Sequence, residues 1–376
     1  MWDITCSFDS YATMEEKSAM ERLVILGGGY GGVRILQLLL PNVLPEDISI
    51  TLVDRVPYHS LKTEFYSLVA GTTTHQHVQV PFPFPNHPQL QFKYGEIESV
   101  NLDEKLVHFE GQDSLSYDYL VIGLGSEDMY HNVPGAEKHS LSIQTISQSK
   151  KTFQALNKLA PGSSVAIVGA GITGVQLASE LAESHRNLDI HIYDRGKHIL
   201  STFPERLSIY VENWFDNNGI NIINYANVTT VEENALFNHE TLIEHDAIVW
   251  TAGIQPSRII RELSVEKDKF GRVVLTNQHN LPNYESVYVL GDCASLPYAP
   301  SAQLAEGQAE QIVEVLLNRW YGSEPPEVFP PIKLKGVLGS LGKKHGFGLL
   351  ADRPITGRVA RLIKSGILWA YKYHNG

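Results

Sequence analysis

Two glycine-rich hexapeptides constrain this 376-residue chain more than any other feature. Gly27-Gly28-Gly29-Tyr30-Gly31-Gly32 and Gly169-Ala170-Gly171-Ile172-Thr173-Gly174 each follow a Val/Ile-rich run and open a segment with helical apolar spacing. Glycines at this spacing allow a tight turn and let backbone N–H groups approach a pyrophosphate at a helix N-terminus. One copy alone is a weak signal, because glycine-rich turns are common. Here each copy also has an acid closing the next strand, where ribose hydroxyls are bound. Asp54 ends Ile50-Thr51-Leu52-Val53, and Asp194 ends Ile190-His191-Ile192-Tyr193. Two purely structural turns would need the same coincidence twice. The copies lie too far apart for a solenoid repeat and mark two dinucleotide-binding domains.

The rest of the chain fits an α/β fold with two Rossmann-like domains. Continuous apolar runs at 23–26, 48–53, 119–122, 165–168, 190–193, 247–250 and 287–290 suit strands covered on both faces, hence parallel sheets. Helical patterns at 31–40, 173–183 and 204–218 alternate with them. The stretch 91–109, with a turn at Asp103-Glu104-Lys105, reads as an antiparallel hairpin added to the first sheet. Prolines forbid a continuous helix across 323–331 and mark a boundary there. The expected division is a flexible extension at 1–19 and a first domain from 20–140 and 258–322. A second domain takes 141–257, and a basic C-terminal piece takes 323–376.

Charge follows that last boundary. Residues 331–376 carry nine Lys/Arg against one acid, a net +8, while the other 330 residues carry 21 against 41, a net −20. An acidic body argues against nucleic acid as a partner, and the basic end points to an anionic surface. Cys6 and Cys293 are too few for a disulfide framework or a cysteine metal site, and too distant for a closely spaced redox pair. A reducing, cytoplasmic setting is expected. No run of about 18 apolar residues suggests a membrane span, and the N-terminus lacks the apolar core of a secretory signal. His75, His77 and His87 sit in a Pro/Phe-rich stretch without acidic companions and read as a packed loop, so no metal is expected.

Two nucleotide domains suggest a bound flavin and a diffusing nicotinamide. Tyr288-Val289-Leu290-Gly291-Asp292 places a carboxylate where a ribityl chain could use it. The strands ending in Gly123-Leu124-Gly125 and Thr251-Ala252-Gly253 stand at the returns between domains. With both fingerprints in this order, the chain resembles the flavoproteins with two dinucleotide-binding domains. Within them it is similar to type II NADH dehydrogenases, the single-subunit NADH:quinone oxidoreductases. The closer likeness rests on Tyr58-His59, Thr63-Glu64, Ala70-Gly71-Thr72, Gly291-Asp292-Cys293, Ala302-Gln303-Leu304-Ala305 and Leu338-Gly339-Ser340-Leu341-Gly342.

That resemblance implies FAD in the first domain, NADH in the second, and quinone arriving from the membrane side. Gly27, Gly29, Gly31, Gly32, Asp54 and Arg55 would hold the FAD pyrophosphate and ribose, and Ile97 the adenine end through its backbone. Gly125 and Asp292 would serve the ribityl side; Ala302 and Gln303 would lie against the ring. Gly169, Gly171, Gly174, Asp194 and Gly253 would hold NADH. Asp194 favours NAD by repelling a 2′-phosphate, although Arg195 could accommodate NADP. Hydride passes from nicotinamide C4 to flavin N5, so positioning matters more than acid–base help.

Two positions depart from the family. Gln176 stands where the family carries a functional glutamate; it can hydrogen-bond but cannot take a proton. Glu180, one turn later, offers a carboxylate on a similar face, with an ordinary surface acid as the blander reading. Gly307 replaces a further glutamine of the quinone side. An attenuated homologue acting as a sensor, or a reductase of a small electron-carrier protein, therefore stays open beside quinone reduction. Cys293 reads as a small buried thiol.

At 100° per residue, Val359, Leu362, Ile363, Ile367, Ala370 and Tyr373 share one half of a helix, and Arg358, Arg361, Lys364 and Lys372 the other, with Leu368 the exception. That is the pattern of a helix lying in an anionic membrane surface. Packing on its own domain, or on a second subunit in a homodimer, is the competing reading. The expected location is peripheral, on the inner face of the cell membrane.

Overall fold

The computed structural model describes residues 20–185 and 187–375, so the extension at 1–19 lies outside the described residues. In chain order come β1 (Glu21–Leu26), α1 (Tyr30–Leu39), β2 (Ile48–Asp54), α2 (Phe65–Val69), β3 (Leu90–Tyr94) and β4 (Tyr119–Ile122). Then follow β5 (Ser164–Val168), α3 (Ile172–Ser184), β6 (Asp189–Tyr193), β7 (Ile220–Ile223) and β8 (Ala247–Trp250). The chain finishes with β9 (Tyr284–Val289), α4 (Ala302–Trp320), β10 (Gly336–Leu341), β11 (His345–Leu350), β12 (Arg353–Thr356) and α5 (Gly357–Asn375).

One sheet has the order β9-β4-β1-β2-β3, all parallel, with Asn280–Leu281 antiparallel at its edge. The second has the order β7-β6-β5-β8, also parallel. In both, the first strand lies inside the sheet, and the next strands leave on opposite sides of it. Its C-terminal end is therefore a topological switch point, where open α/β sheets bind ligands. Both glycine turns emerge there.

The apolar runs are continuous because both faces of each strand are covered. Leu23 and Ile25 pack with Leu36 and Leu316 of α1 and α4, while Val24 and Leu26 meet Val107, Phe109 and Ile260 on the other face. Burying each such side chain contributes roughly 1.5–3 kcal/mol.

The hairpin expected at 91–109 begins later. Leu90–Tyr94 joins the parallel sheet beside β2, and the antiparallel unit is Ile97–Asn101, Leu106–Phe109 and Gln112–Ser116. Gly95 donates its N–H to Asp54 O and separates the two. Alternation alone could not show where one sheet ends and the next begins.

Two connections cross between the large sheets side by side, Ser126–Asp128 pairing antiparallel with Ile254–Pro256. The C-terminal piece forms its own sheet, β10-β11-β12, with α5 packed on it. No helix among the described residues is long and apolar enough to cross a membrane.

Candidate functional site

The glycines of each fingerprint divide the work in the same way. Gly27 (φ +104°) and Gly169 (φ +107°) turn the chain in the left-handed region. A side chain at Gly32 or Gly174 would strike the carbonyl oxygen of that first glycine, so these positions hold the helix close to the turn. Gly29 and Gly171 instead face open space, with nothing within 4 Å of an added Cβ. They are also the N-cap residues of α1 and α3, and neither helix has a side-chain cap. The first N–H groups of both helices thus lack intrahelical acceptors and face an open cradle, the environment a pyrophosphate requires. By contrast, α4 is capped by Ser301, whose Oγ accepts from Leu304 N.

The two acids act alike. Asp54 Oδ2 accepts from Gly28 N at 2.7 Å and Oδ1 from Val56 N at 3.1 Å. Asp194 Oδ2 accepts from Ala170 N at 3.1 Å and Oδ1 from Gly196 N at 2.7 Å. Each carboxylate ties strand end to glycine turn.

Asp292 accepts from Ser126 Oγ at 2.6 Å, joining the Gly-Asp turn to the connection between the sheets. Gly125 (φ +68°) stands beside it, its carbonyl accepting from Ser257 N. Gly253 (φ +135°) accepts from Met129 N across the paired connections. A side chain at Gly31 would meet Leu290. Arg55 is exposed and pairs loosely with Glu96 at 3.8 Å, while the Ile97 side chain is buried against Val107 and Phe109.

Cys293 is fully buried, with Sγ 3.3 Å from Gly125 O, and burial pushes its thiol up to about 12, far from reactivity. His77 bonds Thr74 and His87 bonds Gln89 N locally.

The C-terminal helix holds the main correction. Lys364, expected on a solvent-facing basic arc, points into the protein. Its Nζ lies 3.2 Å from Glu64 Oε1, 2.6 Å from Gln176 Oε1, 2.8 Å from Tyr66 Oη and 3.1 Å from Ser340 Oγ. The Lys364 and Glu64 side chains are only 11% and 12% exposed. Burial lowers the Lys364 pKa, and the Glu64 charge opposes that. Leu368, the misfit on the supposed basic side, belongs to this inward stripe with Ala360 and Tyr371.

Gln176 Oε1 is engaged by Ser340 N at 3.0 Å as well as by Lys364. Glu64, just before α2, pairs with the same Lys364. Glu180 is no surface acid: it is 4% exposed, and Thr72 Oγ1 donates to its Oε1 at 2.6 Å. Burial raises its pKa, and the Thr72 hydrogen bond partly offsets this.

Ala302 and Gln303 open α4. The Gln303 amide donates to Gly336 O and accepts from Lys335 N, both at 2.8 Å, fastening the chain that leads into β10. An added Cβ at Gly307 would meet the Ile332 side chain of the same segment, which would have to shift. The neighbouring Gln308 is the fully buried glutamine, accepting from Gly291 N at 2.8 Å.

The structure also brings together His59, which entered the sequence reading only through the Tyr58-His59 likeness, and Tyr371 of α5. Tyr371 Oη lies 3.1 Å from His59 Nε2, and His59 Nδ1 lies 3.0 Å from the Gly28 carbonyl. Their rings cluster with Tyr30 inside the first fingerprint. Burial lowers the His59 pKa to about 4, so it is neutral at pH 7. α5 is thereby coupled to the glycine turn. The inward period of Ala360, Lys364, Leu368 and Tyr371 is the signal that could have revealed it.

Two parallel sheets, each with an open glycine cradle, define an oxidoreductase built for two dinucleotides. Residues 14–310 match the pyridine nucleotide-disulphide oxidoreductase family, and the chain belongs to it. It is 60% identical to the NADH dehydrogenase-like protein YutJ of Bacillus subtilis, across 95% of this chain and 100% of that one. A type II NADH:quinone oxidoreductase of Staphylococcus saprophyticus is 24% identical over 92% of this chain and 94% of its own. Among solved structures, NDH2 from Plasmodium falciparum in complex with NADH superposes with a TM-score of 0.81 at 17% identity, covering 94% of this chain and 96% of that one. The sulfide:quinone oxidoreductase of Aquifex aeolicus gives 0.79 at 19%, covering 94% and 91%. These likenesses in structure are likenesses of fold.

Proposed function

We propose that this chain is an FAD-dependent NADH dehydrogenase that passes electrons to a quinone at the inner face of the cell membrane. The doubled cradle carries the reading: two uncapped helix N-termini, each with an open glycine and an acid at the next strand's end. The residues present fit FAD on β1/α1 and NADH on β5/α3. Gly27, Gly29, Gly32 and Asp54 would hold the first, with Asp292 at the ribityl side; Gly169, Gly171, Gly174 and Asp194 would hold the second. When bound, FAD supplies the two-electron carrier. The protein's part is to fix the two nucleotides against each other, and the paired connections at 126–128 and 254–256 join the two sheets for that purpose.

The outward face of α5 supports the membrane location. Leu362 and Trp369 are 70% and 67% exposed, with Val359, Ile367 and Tyr373 exposed beside them. An apolar arc on a basic segment suits the surface of an anionic bilayer; a second copy of the chain is the competing cover.

A second reading, a homologue with weak acceptor chemistry, is favoured by Gln176 and Gln303, whose amides are both engaged by the C-terminal piece. One anaerobic titration separates the two. Flavin bleached by NADH and restored rapidly by a short-chain quinone supports the enzyme. Bleaching without reoxidation by quinone supports the homologue, and no bleaching defeats both.

A further inference from the structure

Between α2, α3 and α5 lies a cavity of about 170 Å³ that the dinucleotide cradles do not use. Glu180 lines it more than two turns along α3 from Gly171, with Glu64, Thr72, Arg361 and Lys372 around it. Two polar atoms are buried there without a protein partner, Glu180 Oε2 and Arg361 Nε. Such atoms in a polar space large enough for several waters call for water. On the far side Glu64 meets Lys364.

We propose that Glu180 is the entry point through which a proton passes from solvent in this cavity to the buried Glu64–Lys364 pair during acceptor reduction. The inference rests on the quinone reading above. NADH + H⁺ + quinone → NAD⁺ + quinol balances only if one proton comes from water. The nicotinamide C4–H bond breaks with both electrons, and two O–H bonds form on the acceptor. Gln176 cannot carry that proton, because an amide neither gains nor loses one near neutrality. Glu180 takes it at Oε2 from cavity water; Glu64, 3.2 Å from Lys364 Nζ, receives it across the cavity and gives it up as the acceptor's second O–H bond forms. The titratable and charged groups lining the space are Glu64 and Tyr66 at α2, His77 in the following turn, Glu180 on α3, and Arg361 and Lys372 on α5, with Lys364 behind Glu64 and Glu183 acting on Glu180 from the same helix. Burial raises the Glu180 pKa, and the Thr72 hydrogen bond partly offsets that rise.

The test compares a proton-coupled acceptor with a proton-free one in flavin-loaded protein. Glu180→Gln should lower the ratio of short-chain quinone to ferricyanide turnover roughly 10–100-fold. The deficit should deepen as pH rises, and added formate should recover several-fold of the loss by entering the cavity as a small acid. Glu180→Asp should retain most of the ratio. Independently of turnover, infrared difference spectra across a pH titration should show a protonated-carboxyl band that Glu180→Gln removes. The proposal is overturned by an unchanged ratio and pH profile in Glu180→Gln, by quinone and ferricyanide rates falling together without formate rescue, or by the absence of that band. Wild-type protein that reduces ferricyanide but no quinone removes the acceptor reading itself, a distinct failure visible before any variant is made.

Discussion

Replacing Lys364 by methionine keeps most of the aliphatic volume and deletes one buried ammonium. Glu64 then remains nearly nine-tenths buried, with a single 3.3 Å hydrogen bond from Tyr66 Oη in place of the ion pair. Gln176 Oε1 keeps the Ser340 N–H, and Ser340 Oγ keeps Tyr66 Oη at 3.1 Å, so the loss concentrates on one carboxylate. Removing one partner of a buried pair costs about 3–5 kcal/mol, whereas an exposed pair is worth about 0–1 kcal/mol. Arg34–Glu310, 2.6 Å apart with side chains 35% and 53% exposed, supplies the internal control. Urea unfolding should therefore place Lys364→Met several kcal/mol below wild type and Arg34→Met within about 1 kcal/mol of it. Because Lys364 pins α5 to α2 and α3, amide exchange in 357–373 should also accelerate. Glu64→Gln in the Lys364→Met background should recover much of the loss, since no lone charge is then buried. A Lys364→Met cost no larger than that of Arg34→Met, with unchanged exchange in α5, would refute the buried-lock argument.

Three further outcomes follow from the same geometry. The unfolded chain binds a proton at His59 below its ordinary 6.5 while the folded protein resists until about 4. His59 should thus cost about 3 kcal/mol of stability between 6.5 and 4, a share of the acid limb that His59→Gln should remove in denaturation measured across pH while leaving that of His245, which burial also lowers to about 4. Gly171→Ala faces open space at an ordinary φ of −71° and should leave the melting temperature nearly unchanged while raising KM for NADH. Gly174→Ala, aimed at the Gly169 carbonyl, should instead lower stability by about 1–3 kcal/mol in thermal melts. Leu362→Ala with Trp369→Ala should weaken sedimentation with phosphatidylglycerol vesicles about tenfold or more without moving the melting temperature; equal binding by the double variant would place lipid elsewhere.

Much of this molecule is written in local sequence. The parallel strands stand out because residues covered on both faces must be apolar without alternation. The cradles stand out because turn, open approach and close packing each demand glycine at a set spacing, with an acid one strand later. These features rest on neighbours within about 25 residues. Where the pattern misled, the partner was distant. Tyr94 looked like hairpin because alternation cannot name the sheet a strand joins.

Lys364 looked like an outward-facing cation because helical periodicity separates two faces without saying which one meets the protein. Only the folded chain brings it to Glu64, 300 residues earlier, and sets Tyr371 on His59 behind Gly28. The same holds at position 176: read linearly, glutamine is a missing acid, while in space Glu64 and Glu180 stand around it. The glycine cradles are encoded by spacing, because turn, open approach and close packing each need glycine at a set place. The Glu64–Lys364 cluster depends on tertiary structure, because its charges come from elements that meet only after folding.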